Sequence, residues 1–408
     1  MSNRTIEQNL TLLSSTKRNI RNAINIKGGS VSSATPFADY ATAISNLPSG
    51  GGGGTDLDWS LIGYSARPSV IDDAYAYARA IYLDWDATQT NLNDKFSGDT
   101  QLVYMPLVDT SNATSMIRIF KKCSGLTSIP QLNTSACTNM SYMFNYCNAL
   151  TSIPLLDTSN VTNFQGMFDK SGVSTIPQLN TSAATNMSEM FVECKNLTSI
   201  PLLDTSNVTN MGSMFRSCSG LTSVPQFNTS ACTNMNQMFS SCSGLTSVPQ
   251  LNTSACTSMS SMFNNCKSLT TIPQLNTSAC TNMYGMFDNC TSLEKIEELD
   301  FTSVTNVAGF FGTYNTNITT LRYALFKNLG TTSGLTSYDF ARATNWGVTD
   351  ATYTDARDSL VDSLLTYSFD RATAGYSTCT IKLSSNSYNQ LTAQEISDIE
   401  AKGYTITT

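Results

Sequence analysis

The chain has 408 residues, room for two or three domains at the usual size of about 150 residues each. Its 13% charged residues are about half the ~25% of an ordinary globular chain, while 40% apolar residues exclude a fully disordered one. There is no histidine, which removes His-based general bases, triads and metal sites, and the net charge of -7 argues against a nucleic-acid partner held through its phosphates.

No run of about 18 apolar residues occurs, so no membrane span is expected. The opening residues, MSNRTIEQNLTLL, hold no continuous apolar stretch, and the expectation is a chain made in a cytoplasm without an export signal. Ile6, Leu10, Leu13, Ile20 and Ile24 then form a stripe interrupted by Lys17, which predicts an amphipathic or short oligomeric helix closed by Gly28-Gly29. Thr35-Pro36 opens a second helix with Phe37, Tyr40, Ala41, Ile44 and Leu47 on one face. Residues 1–49 thus read as a helical anchor and oligomerisation module, tethered by the glycines at 50–54. The segments KRNIRNAINIKGG and TPFADYATAISNL resemble N-terminal segments of bacteriophage virion fibre and baseplate-type proteins. That resemblance implies docking onto other virion proteins through residues 1–49, as a homo-oligomer, on a virion assembled in the host cytoplasm. Residues 55–104 follow as an N-terminal cap, with Ile71, Ala74, Ala78, Ile81 and Trp85 on one helical stripe.

The interval 105–322 is a tandem repeat, the strongest signal in the chain. All methionines except Met1 fall between Met105 and Met286. Prolines recur at 106, 130, 154, 177, 201, 225, 249 and 273, spaced by 24 residues with one 23-residue step after Pro154. Phe120, Phe144, Phe168, Phe191, Phe215, Phe239, Phe263, Phe287 and Phe311 keep the same step. In the unit LTSIPQLNTSACTNMSYMFNYCNA, the spacing of Cys137, Met140, Phe144 and Cys147 predicts a short helix, capped by Ser135 or Thr138. Leu126, Ile129 and Leu132 predict a short strand ended by proline. Neither element can bury its face alone. Stacked at the ~4.8 Å spacing of strands, they predict a right-handed α/β solenoid of leucine-rich-repeat type. The short step, where DKSGVST replaces the Cys-containing turn, predicts a kink or slip.

Two repeated polar or reactive rows read as structural. Asp109, Asn133, Asp157, Asn180, Asp204, Asn228, Asn252, Asn276 and Asp300 recur once per unit, as expected of side chains bonding nearby backbone rather than a metal. Cys123, Cys147, Cys194, Cys218, Cys242, Cys266 and Cys290 share one position, and Cys137, Cys232, Cys256 and Cys280 another where Val161 or Ala184 substitutes, as expected of buried free thiols. No CxxC occurs, and no cofactor is expected. Function is therefore sought on the surface, where Thr127, Thr151, Thr198, Thr222, Thr246 and Thr270 form a row and Tyr142, Tyr146 and Tyr284 occupy variable positions. This uncharged face is the candidate site for a host-surface glycan or protein.

Residues 323–408 read as the C-terminal cap, with a strand over Thr378 to Leu383, a capping box at Thr392 and Glu395 and a helix stop at Gly403. No nucleophile–base pair, phosphate loop or paired acid stands out in either flank, so the chain reads as non-enzymatic. The recurring MFxxCxxLTSIPxLxTS resembles the BspA-like leucine-rich repeats of bacterial surface proteins and mycoplasma surface lipoproteins. It implies a solenoid used for adhesion or recognition. The two resemblances together imply a bacteriophage fibre, spike or decoration protein displaying a solenoid for host recognition. The alternative is a bacterial cell-surface leucine-rich-repeat adhesin.

Overall fold

A computed structural model describes residues 87–408, apart from 101, 103–104, 106–107, 313–317, 350 and 353. The expected anchor, with Ile6, Leu10, Leu13, Ile20, Ile24, Phe37, Tyr40 and Ile44, lies outside the described residues, as do the glycine tether and the stripe from Ile71 to Trp85.

The repeats stack into one solenoid with a continuous interior. Within a unit Leu126, Leu132, Cys137, Met140, Met143, Phe144 and Cys147 are buried, and the same positions are buried in each unit that follows. The phenylalanines form a single file from Phe96 to Phe287, with ring centroids 5.5–5.9 Å apart and planes within 16° of parallel. Each such pair adds about 0.5–1.5 kcal/mol beyond the burial of its area. On one side of every coil a residue of an Asn/Ser row bridges in parallel to its counterpart, from Asn91 through Ser115, Asn139 and Asn163 to Asn306.

The helix expected around Met140 and Phe144 is not formed. Instead the amides of Met140, Tyr142, Phe144 and Tyr146 donate to the carbonyls of Asn163, Gln165, Met167 and Asp169 in the next coil, at 2.7–3.1 Å. The intervening amides of Met143 and Asn145, with that of Cys147, close three-residue turns onto Met140, Tyr142 and Phe144. Amides committed to the neighbouring coil cannot also make helical bonds four residues back. Consecutive turns present the same apolar stripe that a helix would. Ser135 and Thr138 accordingly cap nothing: Ser135 Oγ donates to Asn133 Oδ1 and Thr138 Oγ1 to the Thr114 carbonyl. The turns require left-handed backbone at two positions per coil, among them Arg118, Lys122, Tyr142, Tyr146, Glu189 and Glu193. Such a conformation costs about 1–2 kcal/mol for a residue with a side chain, and the bonds to the adjacent coil hold it.

The proline controls the strand. Where Pro130, Pro154 or Pro225 follows the inward Ile or Val, the segment runs extended without a regular ladder. In the last repeat Glu297 stands where the preceding unit has Pro273, and there a six-residue strand forms. This strand, β2 (Lys295–Asp300), pairs in parallel with β1 (Thr271–Ile272) and β3 (Tyr323–Lys327).

The 23-residue step produces no break in the file of rings. Phe144, Phe168 and Phe191 remain 5.5–5.6 Å apart, and the Asn139–Asn163–Asn186 bridges stay in register. One residue is removed from the turn after Ser171, and Val173 takes the buried place that Leu150 holds in the preceding coil. Gly172 makes this possible, because a Cβ there would lie 2.1 Å from the Asn148 carbonyl oxygen. Gly172→Ala is expected to cost about 1–3 kcal/mol through displaced backbone, read as a lower melting temperature with unchanged far-ultraviolet circular dichroism.

Beyond β3 the chain builds a second parallel sheet from β4 (Ser337–Asp339), β5 (Cys379–Lys382) and β6 (Tyr404–Thr407). Helix α1 (Ala356–Val361) packs on β3 and runs into a π-helical turn at Asp362–Thr366. Two helices, α2 (Ser385–Tyr388) and α3 (Ala393–Ala401), separate β5 from β6. The reciprocal Thr392–Glu395 capping box is present, and Gly403 follows α3 with φ at +88°. Phe326, Phe340 and Trp346 cluster beneath these elements, the Trp346 indole donating to the Ala324 carbonyl at 3.0 Å. Arg371 is wholly buried, and its guanidinium donates to the carbonyls of Gly330, Thr332, Ser333 and Ser377.

Candidate recognition surface

Thr127, Thr151, Thr198, Thr222, Thr246 and Thr270 lie exposed one above another on the extended segment, each after an inward leucine. Within the row, Thr246 Oγ1 donates to the Thr222 carbonyl at 3.3 Å. A second exposed threonine row, which the sequence reading did not single out, runs from Thr114 through Thr138, Thr162 and Thr209 to Thr305 and is bonded likewise. The Asp/Asn row has the expected structural role, since Asn133, Asp157, Asn180, Asp204, Asn228, Asn252 and Asn276 each accept from the N–H and the hydroxyl of the serine two residues on. Buried Thr134, Thr158, Thr205 and Thr229 bond the next coil's carbonyl, so the polar wall is knitted from coil to coil.

The tyrosines stand apart, on the turn edge. Tyr146 and Tyr284 are exposed. Tyr142 crosses Gly166, where a Cβ would lie 2.3 Å from its ring, and its hydroxyl donates to Glu189 two coils away at 2.9 Å. Lys170 lies over the Tyr146 ring, donates to its hydroxyl and faces Glu193 at 3.5 Å. Within this charged patch Asp169 accepts from Asn145 through Oδ2, while Oδ1 is shut from solvent without a partner. Burial, reinforced by Glu189 and Glu193 against the opposing pull of Lys170, pushes the Asp169 carboxyl up to about 6. The folded chain therefore binds this proton more tightly than the unfolded chain, whose carboxyl titrates near ~4. Asp169 contributes stability at low pH that is lost as pH rises through about 4 to about 6. Asp169→Asn is expected to flatten that fall and to raise the melting temperature at neutral pH, measured as melting temperature against pH.

A groove of about 900 Å³ opens along the extended segments of the coils that begin at Pro225, Pro249 and Pro273. Its walls are Gln226, Gln250 and Gln274 with Asn228, Asn252 and Asn276, its floor is Phe227, Leu251 and Leu275, and Glu298 and Asp300 close one end. The sequence reading took the three asparagines as structural and did not single out the three glutamines. Their signal is a change of pattern: earlier units alternate PQLN with PLLD, and three PQLN-type units then follow in succession, with Phe227 for Leu in the first. Among the described residues no cluster of acidic or cysteine side chains is arranged to hold a metal ion, and no helix is long and apolar enough to cross a membrane.

The thiols are structural. Seven donate to the carbonyl of the phenylalanine in the preceding coil, at 2.9–3.0 Å, as Cys242 does to Phe215. Burial pushes Cys123, Cys194 and Cys242 up to about 12. Native protein at pH 8 is expected to take up no alkylating label at these positions, and unfolded protein to label fully, as read by mass spectrometry.

The family described as "Mycoplasma protein of unknown function, DUF285" matches residues 76–175, 171–270 and 222–323. The chain belongs to this family, as a solenoid of the leucine-rich-repeat type. A leucine-rich cell surface protein from Faecalibacterium prausnitzii is similar at 18% identity over 58% of this chain and 76% of its own, with a TM-score of 0.34. A leucine-rich repeat protein from Bacteroides ovatus is similar at 18% identity over 60% and 81%, with a TM-score of 0.22. The leucine-rich repeat protein of T. pallidum is similar at 16% identity over 52% and 77%, with a TM-score of 0.22. No curated protein matches.

Proposed function

We propose that the chain is a recognition module of the bacterial cell-surface leucine-rich-repeat kind, acting by adhesion rather than catalysis. The observation that carries this reading is the groove at Gln226 to Asn276: a preformed channel of amides on a rigid rod, with carboxylates only at the Glu298 and Asp300 end. Such a channel suits hydrogen bonding to a polar partner, and the two carboxylates at its end are already engaged, Glu298 by Lys327 and Asp300 by Asn328. The sequence reading put a phage virion first. That placement rests on the resemblance of residues 1–49, which lie ahead of the family match beginning at residue 76. The surface reading draws instead on the repeats.

Antibody raised against residues 126–300 should label intact cells of the source organism, and deleting those residues should reduce attachment to a surface or host cell. Label confined to purified particles would replace the cell-surface reading with the virion one. Unchanged attachment after deletion would remove the adhesive role.

A further inference from the structure

The geometry points to a neutral, equatorially linked glycan chain as the ligand of the amide groove, laid along the stacking axis with about one sugar residue per coil. This inference deepens the recognition reading and rests on it.

The groove is built differently from the equivalent surface of earlier coils. There Leu155 with Asp157, and Leu202 with Asp204, interrupt the Gln–Asn pairs, and both leucines are exposed. Gln–Asn pairs run without interruption only through Gln226–Asn228, Gln250–Asn252 and Gln274–Asn276, and these are the coils along which the channel opens.

Within the channel the amides are held in place. Gln226 Nε2 donates to the Gln250 carbonyl, and Gln250 Nε2 to the Gln274 carbonyl, so each Oε1 remains as an acceptor. Asn228, Asn252 and Asn276 receive bonds on Oδ1 from Ser230, Ser254 and Ser278, so each Nδ2 remains as a donor. The coils of Gln226 and Gln250 thus each offer one oriented donor and one oriented acceptor. Sugar hydroxyls both donate and accept, so one pyranose with several hydroxyls carries the complement of both groups. The ordering cost of the side chains is already met by the stack.

The competing polymers fit less well. An extended peptide advances ~3.3 Å per residue and drifts out of step with coils near ~4.8 Å. A charged polymer finds no countercharge along the walls, and the carboxylates at the end are engaged, Glu298 by Lys327 at 2.8 Å and Asp300 by Asn328 at 2.9 Å. An equatorially linked pyranose chain advances by close to one coil per residue.

The full chain should be titrated calorimetrically with neutral glucan and chitin oligosaccharides of graded length. Affinity should rise with each added sugar and level off once the Gln–Asn coils are spanned. The double substitution Gln250→Leu with Asn252→Asp copies the Leu202–Asp204 pair the protein already uses. It should keep the melting temperature and weaken binding by at least about tenfold. Equal binding by the folded double variant would overturn the inference. So would failure of every neutral oligosaccharide to bind, whether or not an anionic glycan or an extended peptide binds instead. If oligosaccharides fail while the chain still attaches to cells, the glycan inference falls and the recognition reading stands. If attachment fails too, both fall.

Discussion

Truncating Phe239 to alanine is expected to cost about 3–5 kcal/mol, the range for removing a large buried ring and leaving a cavity. Its ring is fully buried, 5.8 Å from Phe215 on one side and 5.9 Å from Phe263 on the other. The neighbouring rings are fixed by their own turns, so the gap cannot close by collapse. The manner of unfolding should change as well. Apart from edge contacts such as Tyr142 to Glu189, the coils touch their immediate neighbours, so stability is close to a sum of unit and interface terms. A weak interface at the centre should divide one urea transition into two, with faster hydrogen exchange in the coils flanking Phe239. Tyr284→Ala, on the exposed edge, should move the midpoint by no more than about 0.5 kcal/mol. A single undivided transition for Phe239→Ala with an unchanged midpoint would contradict the file of rings as the axis of stability.

Arg371→Ala should be comparably severe, at about 3–5 kcal/mol, but confined to the C-terminal region. The guanidinium is buried, and among the described residues no carboxylate pairs with it; it ties the carbonyls of Gly330, Thr332 and Ser333 to that of Ser377. Removing it leaves the buried Gly330 carbonyl without its partner and unties the loops at Ser333 and Ser377, and the Tyr404 hydroxyl, bonded to Leu329 and Phe369, loses its packing partner nearby. Arg371→Lys should rescue only part of the loss, because an ammonium cannot span the same acceptors as a planar fork. Limited proteolysis should show early cleavage after residue 323 while the repeats remain resistant. Equal protease resistance of variant and parent would show the region to be held by other means.

The inward set Leu126, Ile129, Met140, Phe144 and Cys147 was legible because one period repeats it many times, and only a shared interior explains that conservation of chemistry. The local conformation was not legible. Apolar spacings of three and four residues suit a helix and a run of turns equally; what separates them is the partner of the Tyr142 amide, the carbonyl of Gln165 in another coil. Glycine marks the left-handed positions only in scattered coils, as at Gly166 and Gly285, while Tyr142, Tyr146 and Glu189 occupy them elsewhere. The short step also misled, because the deleted residue falls in a turn, where Gly172 absorbs it. For the candidate site, the Thr127 row was found from its recurrence, yet the groove is lined by residues further along each coil, from Gln226 to Asn276. Gln250 and Asn252 looked like ordinary members of a polar series, and their importance comes from what the hydrogen bonds leave unspent.

Coil-to-coil bonding has an evolutionary consequence. The interior bonds of each coil run only to the coils next to it, and the junctions between units are nearly interchangeable. Recombination between the corresponding gene segments can therefore delete or duplicate whole units and still rejoin ends that match. A lineage could lengthen or shorten the reach of this protein in single genetic events, keeping a working fold at every length.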